Sequence, residues 1–177
     1  GSCEDTDLVI PSTYNNKPVT SIGEEAFEGC NIENVVIPEG VTTILDWAFN
    51  HCERLKNVSF PSTIKTIENS AFQGCERLEK IILPEGLTTL AALAFSFCSR
   101  ANEIYLPDTL TSIGFCCFES LNATSIFIPK GVKVIEDYAF TNCFNLKIYC
   151  EATQKPQGWS DVWNSNDCPV VWGATRP

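Results

Sequence analysis

Apolar and polar positions alternate along this chain in short bursts that return about every 23 residues. In Leu78-x-x-Ile81-x-Leu83-Pro84 every second side chain of the later stretch is apolar, the period of a strand with one buried face. Proline closes each burst, because it has no N–H for a ladder and a fixed φ. The Glu-Gly, Ser-Thr or Asp-Thr pair that follows suits a turn. A second extended piece comes next, as in Val41-Thr42-Thr43-Ile44. The pattern then predicts a one-turn helical or 3-10 segment carrying Ala48-Phe49 and Cys52, too short to stand without neighbours.

The bursts are copies of one unit. Pro11, Pro38, Pro61, Pro84, Pro107 and Pro129 recur at steps of 27, 23, 23, 23 and 22, while Phe27, Phe49, Phe72, Phe95, Phe118 and Phe140 keep step at 22, 23, 23, 23 and 22. The unit reads Leu-x-x-Ile-x-Ile-Pro-x-x-Val-Thr-x-Ile-x-x-x-Ala-Phe-x-x-Cys-x-x, cleanest from Leu55 to Cys75. One such unit cannot enclose its apolar face, but stacked copies share a core, so the expected fold is a β-rich α/β solenoid. Parallel strands would follow one another at roughly 4.8 Å.

About six copies of a 22–23 residue unit fill 1–147, and 148–177 holds a last strand, Ile148-Tyr149-Cys150, with an irregular remainder. That remainder carries Trp159, Trp163 and Trp172 and reads as a cap over the final core rung. Five extra residues around Tyr14-Asn15-Asn16-Lys17-Pro18 form a loop in the first copy, and the first and fifth copies drop one residue after the Cys slot. Only Cys3 to Asp7 would cover the other end, which points to further repeats or another domain upstream. Gly1-Ser2-Cys3, without methionine or an export signal, reads as the start of an excised fragment.

Charge and composition narrow the function. A formal net charge of −10, with 12 basic and 22 acidic residues and no basic cluster, argues against nucleic acid. No run approaches the ~18 apolar residues of a membrane span.

Ten cysteines invite a disulfide or metal reading. Cys30, Cys52, Cys75, Cys98 and Cys143 share one slot, which Leu121 takes in the fifth copy, and Cys117 stands where other copies hold alanine. Interchange with apolar residues marks buried thiols that pack as small side chains. Zinc is unsupported, since no C-x-x-C occurs and one thiol per coil makes no tetrahedron. A Cys150–Cys168 bond stays open. His51 is the single histidine and has no companions for a catalytic triad. Glu4, Asp5, Asp7, Asp161 and Asp167 lack calcium-loop spacing. Asn57-Val58-Ser59 and Asn122-Ala123-Thr124 match the glycosylation acceptor pattern, although Asn57 falls in an expected strand. No cofactor is implied.

With these motifs laid out, the chain resembles the BspA-like leucine-rich repeats. Ile10-Pro11, Val19-Thr20-Ser21-Ile22-Gly23 and Ala26-Phe27-Glu28-Gly29-Cys30 carry the likeness, as does Ala139-Phe140-Thr141-Asn142-Cys143. The resemblance implies a right-handed leucine-rich-repeat solenoid whose longer strands line a concave face. It also implies a cell-surface or secreted protein, often of commensal bacteria or mucosal protists, that adheres to host proteins or other cells and carries no catalytic residues.

Within each longer strand one side chain points outward between two inward ones. That row holds Val36, Ser59, Ile82, Tyr105, Phe127 and Tyr149, becoming aromatic toward the C-terminus, beside a polar row of Asn34, Asn57, Lys80, Glu103 and Ser125. An apolar patch outside often marks an interface, so Ile82, Tyr105, Phe127 and Tyr149 with Lys80 and Glu103 are the candidate ligand-binding set. Strand propensity alone also places such residues there, and self-association through the face is a third reading. The expected function is non-catalytic recognition of protein or glycan ligands on a host or neighbouring cell. A structural spacer and an accessory module of a larger extracellular enzyme are the alternatives.

Overall fold

The computed structural model describes residues 6–176. The proposed fragment start, Cys3, Glu4 and Asp5 lie outside them. The chain winds through about seven coils of parallel strand and turn, with the candidate row on one wall.

The longer strands run Asp7–Val9, Asn34–Val36, Asn57–Ser59, Lys80–Ile82, Glu103–Tyr105, Ser125–Ile128, Lys147–Cys150 and Val170–Trp172. Their register is that of the repeat: Val35 pairs with Val58, Ile104 with Ile81, and Ile126 with Ile148. Hydrogen bonding divides this wall into three sheets. The breaks coincide with Phe60, whose larger ring takes a core slot held elsewhere by Ile37, Leu83 and Leu106, and with the shortened turn at Leu121-Asn122-Ala123. The second wall is unbroken, a six-stranded parallel sheet of two-residue strands from Ser21–Ile22 to Val134–Ile135.

Between the walls lies one core. Phe49, Phe72, Phe95, Phe118 and Phe140 are fully buried, and together with half-buried Phe27 they stack with centroids 5.0–6.0 Å apart and planes within 12°. Offset stacking adds to the large apolar area each ring buries. Phe27 and Ala26 are less covered because they form the outermost rung at the N-terminal end.

The third side of each coil departs from expectation: among the described residues it contains no helix. Left-handed residues interrupt it twice per coil, at Glu25, Trp47, Ser70, Leu93, Cys116 and Tyr138, and again at Gly29, His51, Gly74, Phe97, Ser120 and Asn142. A helix cannot pass through such positions. They turn alternate N–H groups outward along the stack, so Trp47, Phe49 and His51 donate to the carbonyls of Asn69, Ala71 and Gln73 in the next coil. The intervening groups close local turns, Ala48 to Leu45 and Cys52 to Phe49. The backbone polarity of this side is thereby satisfied without helix or sheet.

The insertion at Tyr14 is a hairpin, Thr13–Tyr14 against Lys17–Pro18, turned by Asn15 and Asn16 with φ of 49° and 59°. Two successive left-handed residues are what a tight two-residue hairpin requires. The C-terminal remainder is also more regular than its sequence suggests. Trp159 bridges Ile135, Val162 accepts from Tyr138, and Val170–Trp172 extends the long wall, completing another coil. Trp163 meets Phe140 edge-on at 5.8 Å and covers the end of the ring stack, while Trp159 Nε1 donates to the Val132 carbonyl at 3.1 Å.

Candidate functional site on the long-strand wall

Strand register brings the outward positions into line. Val9, Val36 and Ser59 are successive partners, as are Ile82 with Tyr105 and Phe127 with Tyr149 and Val171. Val36 and Ile82 are exposed at 43% and 45%, Tyr105 and Tyr149 are half-buried, and Phe127 falls to 9%. The row thus begins open and becomes covered toward the C-terminus.

Arg176 supplies part of the cover. Its guanidinium carbon lies 4.5 Å from the Tyr105 ring centroid and 4.7 Å from that of Phe127. One nitrogen donates to the Leu106 carbonyl at 2.9 Å and to Asp108 Oδ1 at 2.6 Å. Farther along, Lys147 Nζ sits 5.2 Å over the Tyr149 ring. Cations favour the negative face of an aromatic ring. The outward aromatic residues are therefore a set of cation-bearing faces, which apolar patterning alone did not reveal.

Acidic groups border them. Tyr105 donates its hydroxyl to Glu85 at 3.2 Å, and the Asp108 N–H reaches the same carboxylate at 3.3 Å. Burial pushes the Tyr105 phenol upward, keeping it a neutral donor. In the polar row Lys80 and Glu103 form an exposed ion pair at 2.6 Å, and the hydrogen bond that Lys80 donates to that carboxylate holds the lysine above its usual range. Asn57 Nδ2 donates to Asn34 Oδ1 at 2.7 Å, and Asn34 Nδ2 to Asp7 at 2.6 Å. The Asn57 nitrogen that a glycan would modify is already engaged in this side-chain ladder. Arg176, Asp108 and Glu85 stand outside the candidate set drawn from sequence. Asp108 and Glu85 occupy the turn after Pro107 and Pro84, where only turn chemistry was legible.

The remaining candidates serve packing. Cys30 is half-buried and Cys52, Cys75, Cys98 and Cys143 are buried. Their thiols also have a role beyond size: Cys52, Cys75, Cys98 and Cys143 each donate Sγ–H to the carbonyl of Phe27, Phe49, Phe72 and Phe118, at 3.0, 3.3, 3.3 and 3.0 Å. Cys150 and Cys168 are separate buried thiols, which settles the open pairing. Among the described residues no group of His, Cys, Asp and Glu has metal-binding geometry. His51 occupies a left-handed position, its ring so close to Gly74 that a Cβ there would lie 2.8 Å from Nδ1. A shallow groove beside Phe115 and Val134 includes Glu136 and Asp137, but these carboxylates accept from the Phe115 N–H and the Ser160 hydroxyl of the neighbouring coil. They tie coils together. No helix among the described residues is long and apolar enough to cross a membrane.

A family model described as the BspA type leucine rich repeat region matches residues 20–147 in six copies. The chain belongs to the BspA-type leucine-rich-repeat family. Solved structures agree with a BspA-type solenoid. A leucine-rich repeat protein of T. pallidum superposes with a TM-score of 0.77 at 26% identity, covering 96% of this chain and 87% of that one. A leucine rich cell surface protein of Faecalibacterium prausnitzii gives 0.64 at 29% identity, over 92% of this chain and 51% of its own. The pneumococcal vaccine antigen PcpA gives 0.73 at 26% identity, over 82% and 40%. The chain thus spans about half or less of the latter two. No protein with a curated description matches it. The matching family is one of leucine-rich repeats, and one structural relative is described as a cell surface protein.

Proposed function

We propose that this BspA-type solenoid is a non-catalytic adhesion module, displayed on or secreted from a cell, that recognises protein or glycan ligands along its long-strand wall. The observation that carries the reading is the aligned row Ile82, Tyr105, Phe127 and Tyr149, bordered by Lys80 and Glu103. Phe127 pairs in register with Tyr149 and shares the Arg176 guanidinium with Tyr105, so the three rings form a contact area of low conformational entropy, and aromatic residues are enriched at the centres of interfaces. Sugar rings and protein side chains both suit such faces.

The test is capture of host matrix proteins and mucus glycans by the purified chain and by its Tyr105→Ala/Phe127→Ala/Tyr149→Ala variant. The variant is expected to unfold cooperatively and to lose capture by at least about tenfold, the equivalent of ~1.4 kcal/mol. Equal capture by a folded variant would remove the row from the binding site. Capture by neither protein, together with self-association of the wild type alone, would assign the face to contacts between copies.

A further inference from the structure

We infer that the aromatic row accepts an arginine side chain of a protein ligand, and that Arg176 occupies this position as an intramolecular stand-in. The inference rests on the wall being the binding face, and it names the chemistry that the face takes.

Arg176 is set apart by the distance its contacts span. Every other described side-chain hydrogen bond between coils joins residues 20–27 apart, the length of one coil. Arg176 reaches Leu106 and Asp108, which are 70 and 68 residues away. The chain leading to it is fastened to the last rung by Gly173 and Ala174, whose N–H groups donate to the carbonyls of Ala152 and Cys150. Thr175 is exposed, so the arginine reaches across the wall from a short anchored strap.

What it finds there fits a guanidinium more closely than any cation of equal charge. The planar group lies near two rings at similar distance, and one nitrogen meets a carbonyl and a carboxylate together. A lysine ammonium brings the charge without the plane or the fork of donors. Asp108 is 71% exposed and the Arg176 side chain 27% exposed, so the pair opens to solvent at one edge and a competing side chain has a route in. Glu85 adds acidic charge beside the entrance, and the net charge of −10 favours approach of a basic surface. Lys147 over Tyr149 shows the next ring along the wall also facing a cation.

An occupant built into the chain lowers the apparent affinity of an external ligand by the fraction of time it leaves the site free. A tail bound nine-tenths of the time costs about tenfold. Replacing Arg176 therefore strengthens binding of an arginine ligand while removing a residue from the wall.

The probes are acetyl-Gly-Ser-Arg-Gly-Ser-amide and its lysine counterpart, titrated into the whole chain and into Arg176→Ala while the ring resonances of Tyr105 and Phe127 are followed. The expected result is about tenfold tighter binding of the arginine peptide by Arg176→Ala than by the wild type, shifts centred on those two rings, and weaker binding of the lysine peptide. Adding Asp108→Asn to Arg176→Ala should reverse most of the gain. Equal affinity of the two proteins, equal affinity for the two peptides, or shifts centred elsewhere would each overturn the inference. If those failures accompany loss of matrix-protein or glycan capture in the triple alanine variant, the face still binds, by other chemistry. If capture is also unchanged, the binding face itself is wrong.

Discussion

Cysteine does two jobs in one slot of this molecule. Its small side chain fits beneath the phenylalanine stack, and its Sγ–H satisfies a carbonyl of the preceding coil. Leu121 fills the slot in the fifth copy without that hydrogen bond, which is the sign that packing comes first. Burial pushes the thiols up: Cys143 to about 11, Cys150 to about 12, and Cys75, Cys98 and Cys117 in the same direction. An unfolded thiol titrates near ~8.5. The folded state thus holds the proton more tightly, so the contribution to stability is complete below ~8.5 and is lost as pH rises through the folded values. Each thiol in that window removes up to ~1.4 kcal/mol per pH unit. The urea midpoint should fall steeply from pH 8.5 to 11, and Cys150→Val, at a position equivalent to Leu83 and Leu106, should flatten the fall. A profile unchanged by that substitution would mean that Cys150 carries no such penalty.

At the scale of the element, the turn side is held by residues in an unfavourable backbone region. A left-handed conformation costs a non-glycine residue roughly 1–2 kcal/mol, yet Trp47, Leu93, Phe97 and Tyr138 adopt it because the inter-coil hydrogen bonds need that geometry. Phe97, with φ of 58°, shares its slot with Gly29 and Gly74 and is 44% exposed. Phe97→Gly should leave the denaturant midpoint within ~0.5 kcal/mol, relief of strain offsetting the greater freedom of the unfolded chain. Phe97→Val should lose ~1 kcal/mol or more despite the exposed site, since a branched Cβ is poorly tolerated there. Equal midpoints for the two variants would contradict the role given to the left-handed slot. This side is also where the sequence misled. Ala-Phe-x-x-Cys has helix-like spacing, and Glu25, Trp47, Ser70, Leu93, Cys116 and Tyr138 have no common side-chain chemistry that announces φ > 0. Along the stack Glu-Gly turns alternate with Ser-Thr or Asp-Thr turns. Thr63 and Thr109 each accept from a glycine N–H, of Gly40 and Gly86, and donate to a carbonyl of the preceding coil, so unlike turns interlock.

For the whole molecule, the repeat was legible because translation along a stack places the same residue in the same environment, and Phe, Ile and Pro ladders record that directly. The last coil was not. There Trp159 and Trp163 replace the repeating apolar residues and erase the signature while preserving the winding. The outward row was legible through strand alternation, whereas its partner Arg176 was not, because no periodicity connects a residue in the tail with a ring 71 positions earlier. Besides exposed Tyr14, Phe97 and Phe144, two groups of aromatic residues stand outside the ring stack: half-buried Tyr105 and Tyr149 with nearly buried Phe127 on the long-strand wall, and Trp47, Phe115 and Tyr138 on the turn side at 38%, 41% and 41% exposure. The proposed function assigns recognition to the first. The most direct measurement compares surface-immobilised capture of matrix proteins and mucus glycans by two variants, Ile82→Ser/Tyr105→Ser/Tyr149→Ser on the wall and Trp47→Asn/Phe115→Ser/Tyr138→Asn on the turn side. Loss of capture with the wall variant and retention with the turn-side variant is the predicted result. Retention by the wall variant with loss by the turn-side variant would move the binding site to the other side of the solenoid.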